Sequence, residues 1–299
     1  MWTKENIPDQ TGKTVIITGS NVGIGYETAL ALYEKGAAVT LACRDEQKAG
    51  SAANEISKTK SKGSIEVLKL DLSDLNQIKE AADVFKKRHD KLDLLINNAG
   101  VMVPPASFTA QGFELQFGTN VLGHYAFTGH LFNLLKAAPQ SRIITVSSLV
   151  YTAGKIDYEN LKSEKNYDPN REYAQSKLAN LLFTLELQDR IEKAGENIIS
   201  AASHPGATLT NLARFITQEQ FDSMIETYGE LMPAWKGALP SLFAAVSPEI
   251  SGGELIGPDQ DGGLRGYPTK AVIELSGSYH LEAEKLWKYA QEATGIIYP

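Results

Sequence analysis

TVIITGSNVGIGYETALALYEK, residues 14–35, decides how the rest of the chain is read. Its first five residues, Thr14–Thr18, are β-branched and apolar enough for a strand buried on both faces. The run passes without a spacer into Thr18-Gly19-Ser20-Asn21-Val22-Gly23-Ile24-Gly25, and a helical pattern begins at once. A pyrophosphate bound at such a junction needs a tight turn, close backbone approach and the exposed N–H groups of a helix N-terminus. Gly19 can supply the turn, Gly23 the close approach and Gly25 the packing of helix on strand. The spacing is T-G-x-x-x-G-x-G, not G-x-G-x-x-G. A glycine-rich βα turn can also be purely structural, so the following residues have to separate the two readings.

Outward from this turn, short apolar runs alternate with longer helical patterns. The runs are Ala38–Ala42, Ile65–Leu70, Leu92–Asn97, Arg142–Ser147 and Asn197–Ala202, with helical segments such as Tyr26–Lys35, Gln77–Arg88 and Ala174–Ala194 between them. Most runs are continuously apolar rather than alternating, as in strands covered on both faces. The expected fold is α/β: a doubly wound (Rossmann) parallel sheet of about seven strands with helices on both faces. No repeat or Pro/Gly linker divides the chain, so residues 1–299 are read as one domain. Residues 211–235 form a helical stretch outside the rhythm. Gly252–Gly257 is expected to add a seventh strand, followed by a loop and a closing helix near Leu281–Thr294.

Composition removes several function classes. With 36 acidic against 29 basic residues the net charge is −7, which argues against nucleic acid or an anionic membrane as partner. Cys43 is the one cysteine, so no intrachain disulfide can form, as suits a reducing compartment. The opening MWTKENIPDQ lacks an apolar core and no apolar run reaches about 18 residues. A cytoplasmic protein without a membrane anchor is expected, and no metal site is assigned.

The end of the second strand should face an adenosine ribose, where a carboxylate selects NAD and a cation favours the extra phosphate of NADP. This chain has Cys43-Arg44-Asp45 there. A small neutral residue followed by a guanidinium points to NADP over NAD, although Arg44 could instead pair with Asp45 or Glu46, and Asp45 could turn inward. Asp71 ends the third strand, next to Leu72, in position either to touch adenine or to cap the next helix.

Taken in order, T-G-S-N-V-G-I-G after the first strand, Asn97-Asn98-Ala99-Gly100 after the fourth, Ser147-Ser148 ending the fifth, a Y-x-x-x-K pair and Pro205-Gly206 after the sixth resemble the short-chain dehydrogenase/reductase family. The resemblance spans residues from about 14 to 210. It implies a nicotinamide cofactor held by Gly19, Ser20, Asn21, Gly23, Ile24, Gly25, Arg44, Asp71, Leu72, Asn98, Ala99 and Gly100. The loop His204-Pro205-Gly206-Ala207-Thr208-Leu209-Thr210 would then hold the carboxamide, with Thr210 the stronger side-chain contact and Thr208 the weaker. His204 is read as structural.

Y-x-x-x-K occurs three times, at Tyr151–Lys155, Tyr158–Lys162 and Tyr173–Lys177, and one helical turn would bring each pair together. Gly154 interrupts the first, which lies in the loop leaving the strand. Asp157, Glu159 and Glu164 surround the second and would raise a tyrosine pKa. Tyr173 opens a long amphipathic helix and has small neighbours in Ala174 and Ser176. By resemblance Tyr173 exchanges a proton with the substrate oxygen, Lys177 lowers its pKa and holds the nicotinamide ribose, Ser148 hydrogen-bonds the same oxygen, and Asn120 helps position the lysine. Ser148 and Tyr173 are 25 residues apart. That long separation is similar to the retinol-dehydrogenase branch, where a loop is inserted between the two.

Residues 211–235 fall where the family places a substrate lid, and Leu212, Phe215, Phe221, Met224, Tyr228, Met232 and Trp235 suit a hydrophobic carbonyl or alcohol substrate. Glu219, Asp222, Glu226 and Glu230 argue against a membrane-surface helix. His124, Met102 and Val103 are further candidates for the pocket wall. Two other readings remain: a carbon–carbon double-bond reductase like the protochlorophyllide reductases, and a non-catalytic NADP-sensing regulator. The apolar face of Leu178–Ile191 offers a homodimer contact by resemblance, or else packs within its own chain.

Overall fold

The computed structural model describes residues 1–275 and 277–299. β1 (Thr14–Thr18) lies at the centre of a sheet ordered β3-β2-β1-β4-β5-β6-β7-β8. β2 (Ala38–Cys43) and β3 (Ser64–Lys69) extend it one way. β4 (Leu94–Asn97), β5 (Ser141–Val146), β6 (Ile198–Ser203) and β7 (Leu255–Gln260) extend it the other. These seven run parallel, with Ile17 paired to Leu41 on one side and Ile96 on the other. The strand order reverses between β1 and β4, which opens the crevice where such sheets bind ligands.

The sheet carries one strand more than expected. β8 (Arg265–Ala271) pairs antiparallel with β7 through a hairpin. Its sequence, RGYPTKA, lacks a strand signature because it forms an edge, where Pro268 loses no ladder bond it needs and Lys270 guards the open side.

Helices cover both faces. α1 (Gly23–Glu34), α2 (Glu46–Ser57) and α3 (Leu75–Lys86) follow the first three strands. α4 (Leu115–Phe117) runs through a π-helical turn, Gly118–Leu122, into α5 (Gly123–Ala137). α6 (Pro169–Lys193) carries Tyr173 and starts at the Asp168 cap with Pro169 in its first turn. α7 (Gln218–Tyr228), α8 (Ala234–Gly237), α9 (Leu239–Val246) and α10 (Tyr279–Thr294) complete the chain. The apolar layer on one face gathers Leu32, Leu41, Ile56, Leu242 and Phe243, and that on the other Ile78, Phe127, Leu182 and Trp287.

The apolar side of α6 packs against this chain's own α10. Trp287 stacks on Phe183 at 5.9 Å and meets Tyr125 edge-on at 5.0 Å, with the Arg190 guanidinium 4.7 Å from its ring centre. The tail then locks on: Tyr298 donates to the Tyr125 carbonyl and Tyr125 donates to that of Ile296, both at 2.9 Å. Among the described residues no helix is long and apolar enough to cross a membrane.

Candidate active site

The crevice holds a cavity of about 390 Å³. Its floor is the β1–α1 turn. Gly19 has φ +65°, and a Cβ there would stand 2.9 Å from the Ala99 backbone. At Gly25 a Cβ would meet Asn98 Nδ2 at 2.5 Å and the Gly19 carbonyl at 2.6 Å. Glycine is therefore required at both positions for the two loops to close on each other. Asn98 clamps them, its amide donating to the Thr18 carbonyl at 2.7 Å and to that of Gly19 at 3.3 Å. Asn21, Gly23, Ile24, Ala99 and Gly100 line the cavity beside them. Ser20 does not: its hydroxyl donates to the Ile17 carbonyl and its side chain packs against Cys43.

One wall carries Ser148, Tyr173 and Lys177. Tyr173 is 9% exposed. Burial raises its phenol well above the usual value, and a hydrogen bond with Ser148 lowers it in part. Lys177 is 3% exposed, and burial pushes its ammonium down to about 8. Its Nζ donates to the Val146 carbonyl at 3.0 Å and stands 5.6 Å from the centre of the Tyr173 ring. In this arrangement Ser148, rather than Lys177, is the group that lowers the phenol's pKa.

The two rival tyrosines are placed elsewhere. The Tyr151 hydroxyl accepts the Glu274 N–H at 2.9 Å, and Tyr158 lies against Tyr289 with its hydroxyl aimed at the Glu282 carbonyl. Both serve to seat the C-terminal segment.

Asn120 sits in the π turn, a feature that frequently marks functional sites. Its amide accepts from Val101 N–H and donates to the Val101 carbonyl and to Ser176 Oγ. It reaches Lys177 only across Gly100, where a Cβ would lie 3.5 Å from Asn120 Oδ1 and 3.8 Å from Lys177 Nζ.

Pro205, Gly206, Thr208 and Thr210 line the opposite side. Thr208 donates back to the Pro205 carbonyl, while Thr210 caps the turn at Asn211–Phe215. The segment 211–235 is not one helix: that short turn leads into α7 and then to an extended stretch bridging Met232 to Thr208. Leu212, Phe221, Met224, Tyr228 and Leu231 roof the cavity, whereas Met232 is buried and Trp235 faces a separate hollow. Sequence reading missed Leu264, which enters the cavity from the β7–β8 hairpin and accepts the Ala207 N–H at 2.8 Å. It also missed Arg214. His124 is buried below the site rather than lining it, and His204 packs against Gly257.

On the ribose side Arg44 is exposed and makes no ion pair among the described residues. Asp45 caps α2 and pairs with Lys48, while Glu46 reaches Lys69. Asp71 accepts from Ser73, leaving Asp74 as the cap of α3. Leu72 is buried beneath Gly123.

Residues 13–220 match the family model for short chain dehydrogenase. The chain belongs to that family. Within it, this short-chain dehydrogenase is 46% identical to human retinol dehydrogenase 12 over 290 residues, spanning 95% of this chain and 87% of that protein. It is 45% identical to mouse retinol dehydrogenase 11 over 291 residues, 96% of this chain and 83% of that one. It therefore falls in the retinol-dehydrogenase-like branch. Among solved structures, an uncharacterized protein from Mycobacterium paratuberculosis superposes with TM-score 0.83 at 36% identity, covering 100% of this chain and 99% of that one. A Pseudomonas aeruginosa RhlG/NADP complex shares the fold at TM-score 0.65 and 22% identity, over 82% and 94% of the two chains.

Beneath the first turn of α6 lies a buried carboxyl, Glu114. It accepts Gln116 N–H at 2.9 Å and Phe117 N–H at 2.7 Å, yet burial raises it from 4.5 to about 7, with the nearby Glu172 charge adding to the rise. Between those two pH values the native protein holds a proton that the unfolded chain has lost. Stability from this group is therefore complete below about 4.5 and is lost as pH rises through about 7. The cost above pH 7 is about 3 kcal/mol. Glu114→Gln removes the titration but keeps only one of the two acceptor oxygens that Gln116 and Phe117 use, so its melting temperature relative to the wild type should rise between pH 4.5 and pH 8. Thermal denaturation across that range reads the change, and a difference that stays constant with pH would refute it.

Proposed function

We propose that this short-chain dehydrogenase is an NADP-dependent oxidoreductase that moves a hydride between the nicotinamide and a carbonyl or alcohol of a hydrophobic small molecule. The observation that carries the reading is the grouping of Ser148, Tyr173 and Lys177 on one wall of a cavity roofed by apolar lid residues. In this reading the whole chain works as one domain in the cytoplasm, with residues 211–235 as its lid.

The residues fit the cofactor. The start of α1 and the closely apposed Gly19 and Ala99 make a cradle that any side chain at Gly19 would fill. NADPH, when bound, supplies the hydride. The protein's part is to hold and move the proton. Tyr173 donates it to the carbonyl oxygen as charge develops there, and Ser148 hydrogen-bonds the same oxygen. Lys177, a cation below about pH 8 and 5.6 Å from the Tyr173 ring centre, is the proton source that recharges the phenolate left behind. The reverse direction uses Tyr173 as base. The retinol dehydrogenase relatives and the apolar roof support a long apolar alcohol or aldehyde as substrate class. Double-bond reductases of the protochlorophyllide type carry a cysteine near the substrate, and that reading is disfavoured because Cys43 is buried against Ser20, away from the cavity.

The test is consumption of NADPH against ketones and aldehydes from small aliphatic to long-chain and retinoid-like, with NADH alongside. Turnover that prefers NADPH supports the reading; NADPH binding without turnover on any member would favour a sensor. Arg44→Ala should raise the KM for NADPH about tenfold. KM for NADH should hold, since only the 2′-phosphate needs the guanidinium. Equal changes for both cofactors would show that Arg44 does not read that phosphate.

A further inference from the structure

Beneath the cavity floor, His124 joins the π turn that carries Asn120 to the end of β1. Its ring is fully buried in the first turn of α5. Nδ1 lies 3.0 Å from the Asn120 carbonyl and Nε2 lies 2.9 Å from Thr18 Oγ1. Thr18 Oγ1 in turn takes the N–H of Asn98 at 3.0 Å and that of Ala99 at 2.9 Å.

The donor and acceptor inventory fixes the protons. A carbonyl can only accept, so Nδ1 carries the hydrogen. In a neutral ring Nε2 is then an acceptor, and the Thr18 hydroxyl donates to it at 2.9 Å in preference to the Ile96 carbonyl at 3.5 Å. That leaves both hydroxyl lone pairs for the two N–H groups, and every partner is satisfied. A protonated ring would put a third donor on an oxygen with two lone pairs. It would also set a second cation near Lys177. Burial and the Lys177 charge both hold the ring neutral, to about 4.

We propose that His124 is a positioning residue of the active site, whose neutral ring ties the Asn120 carbonyl to Thr18 and so fixes the Asn98–Gly100 loop against Lys177. Asn120 departs from regular helix here, the Gly123 N–H bonding to the Gly118 carbonyl across the π turn. The imidazole, four residues on in the same helix, donates to the Asn120 carbonyl at 3.0 Å within this irregular turn. Gly100 is the point at which the tie reaches the chemistry, because Asn120 and Lys177 meet across it. A loosened loop would let water reach Lys177 and return its pKa toward the ordinary lysine value.

The inference rests on the proposed function only where turnover is read. Two readouts need none. In ¹⁵N-histidine spectra His124 should be the neutral Nδ1–H tautomer, unprotonated at pH 5; the other tautomer, or protonation near pH 6.5, would overturn the proposal. In ¹³C-lysine spectra of His124→Phe, Lys177 should titrate about one pH unit above its wild-type value. An unchanged titration in a folded variant would overturn it as well.

If wild-type turnover is found, His124→Phe should lower kcat about 10- to 100-fold. The KM for the carbonyl and the Kd for NADPH should each stay within about threefold. His124→Gln, an amide with one donor side and one acceptor side, should recover most of the lost kcat. It serves as the deciding variant if His124→Phe does not fold. Failure of His124→Gln to retain activity, or parallel losses of melting temperature, Kd and kcat in it, would make His124 a packing residue only. Absence of wild-type turnover would instead count against the proposed function and leave the two spectroscopic readouts to decide this one.

Discussion

Tyr173→Phe is expected to lower turnover about 10³-fold while the Kd for NADPH changes less than about threefold. The substitution removes one oxygen and keeps the ring that lies under Lys177, 5.6 Å from its ammonium. Packing around a residue that is 9% exposed is therefore preserved. What disappears is the only phenol in hydrogen-bonding reach of Ser148 among the described residues. Tyr151→Phe and Tyr158→Phe are the controls. Each loses a bond to the C-terminal segment, worth about 1 kcal/mol of stability, with turnover retained. Steady-state rates and cofactor fluorescence titration on the three variants settle the matter. Turnover surviving in Tyr173→Phe, or vanishing only in Tyr158→Phe, would remove Tyr173 from the chemistry.

The largest expected effect on stability belongs to Trp287→Ala. The indole is buried against Phe183, Tyr125 and Tyr298, and it carries the Arg190 guanidinium on its face. Emptying that site should cost about 3–5 kcal/mol. For a chain of this size the melting temperature should fall by roughly 10 °C. Trp235→Ala, at a residue 48% exposed, should change stability by less than about 0.5 kcal/mol. Urea and thermal denaturation of the pair measure both. A Trp287 variant as stable as the Trp235 one would mean that α10 is an ornament on α6 rather than its cover.

Local rules carried the sequence reading a long way where one signal served one purpose. Strand, glycine turn and helix follow each other without a gap in residues 14–35, so β1 and α1 were legible together. That Tyr173 sits in a long helix and Tyr151 in the loop after β5 was legible too, because helix-breaking Gly154 acts locally. β8 was not, since an edge strand with Gly266 and Pro268 carries no apolar period. Leu264 reaches the cavity only through that unseen hairpin. The direction of the Tyr173 shift was also hidden: burial, which a linear sequence does not display, outweighs the Ser148 hydrogen bond. His124 looked like a pocket residue because its partners, Thr18 and the Asn120 carbonyl, meet only in three dimensions.

The seal over α5 and α6 has a consequence for the order of events during synthesis. Tyr298 binds a carbonyl 173 residues earlier in the chain. At roughly 10 residues per second, on the order of 17 s pass between the making of Tyr125 and of the residue that covers it. From the making of α6 until that of α10 the aromatic side of the two helices is bare, a surface that chaperones recognise and that aggregates readily. Ser148, Tyr173 and Lys177 are made by then, yet the helix that carries Tyr173 and Lys177 lacks its outer support. The scaffold is thus closed by α10 and Tyr298, and a nascent chain stopped short of α10 would hold a complete set of reactive groups on an unfinished scaffold.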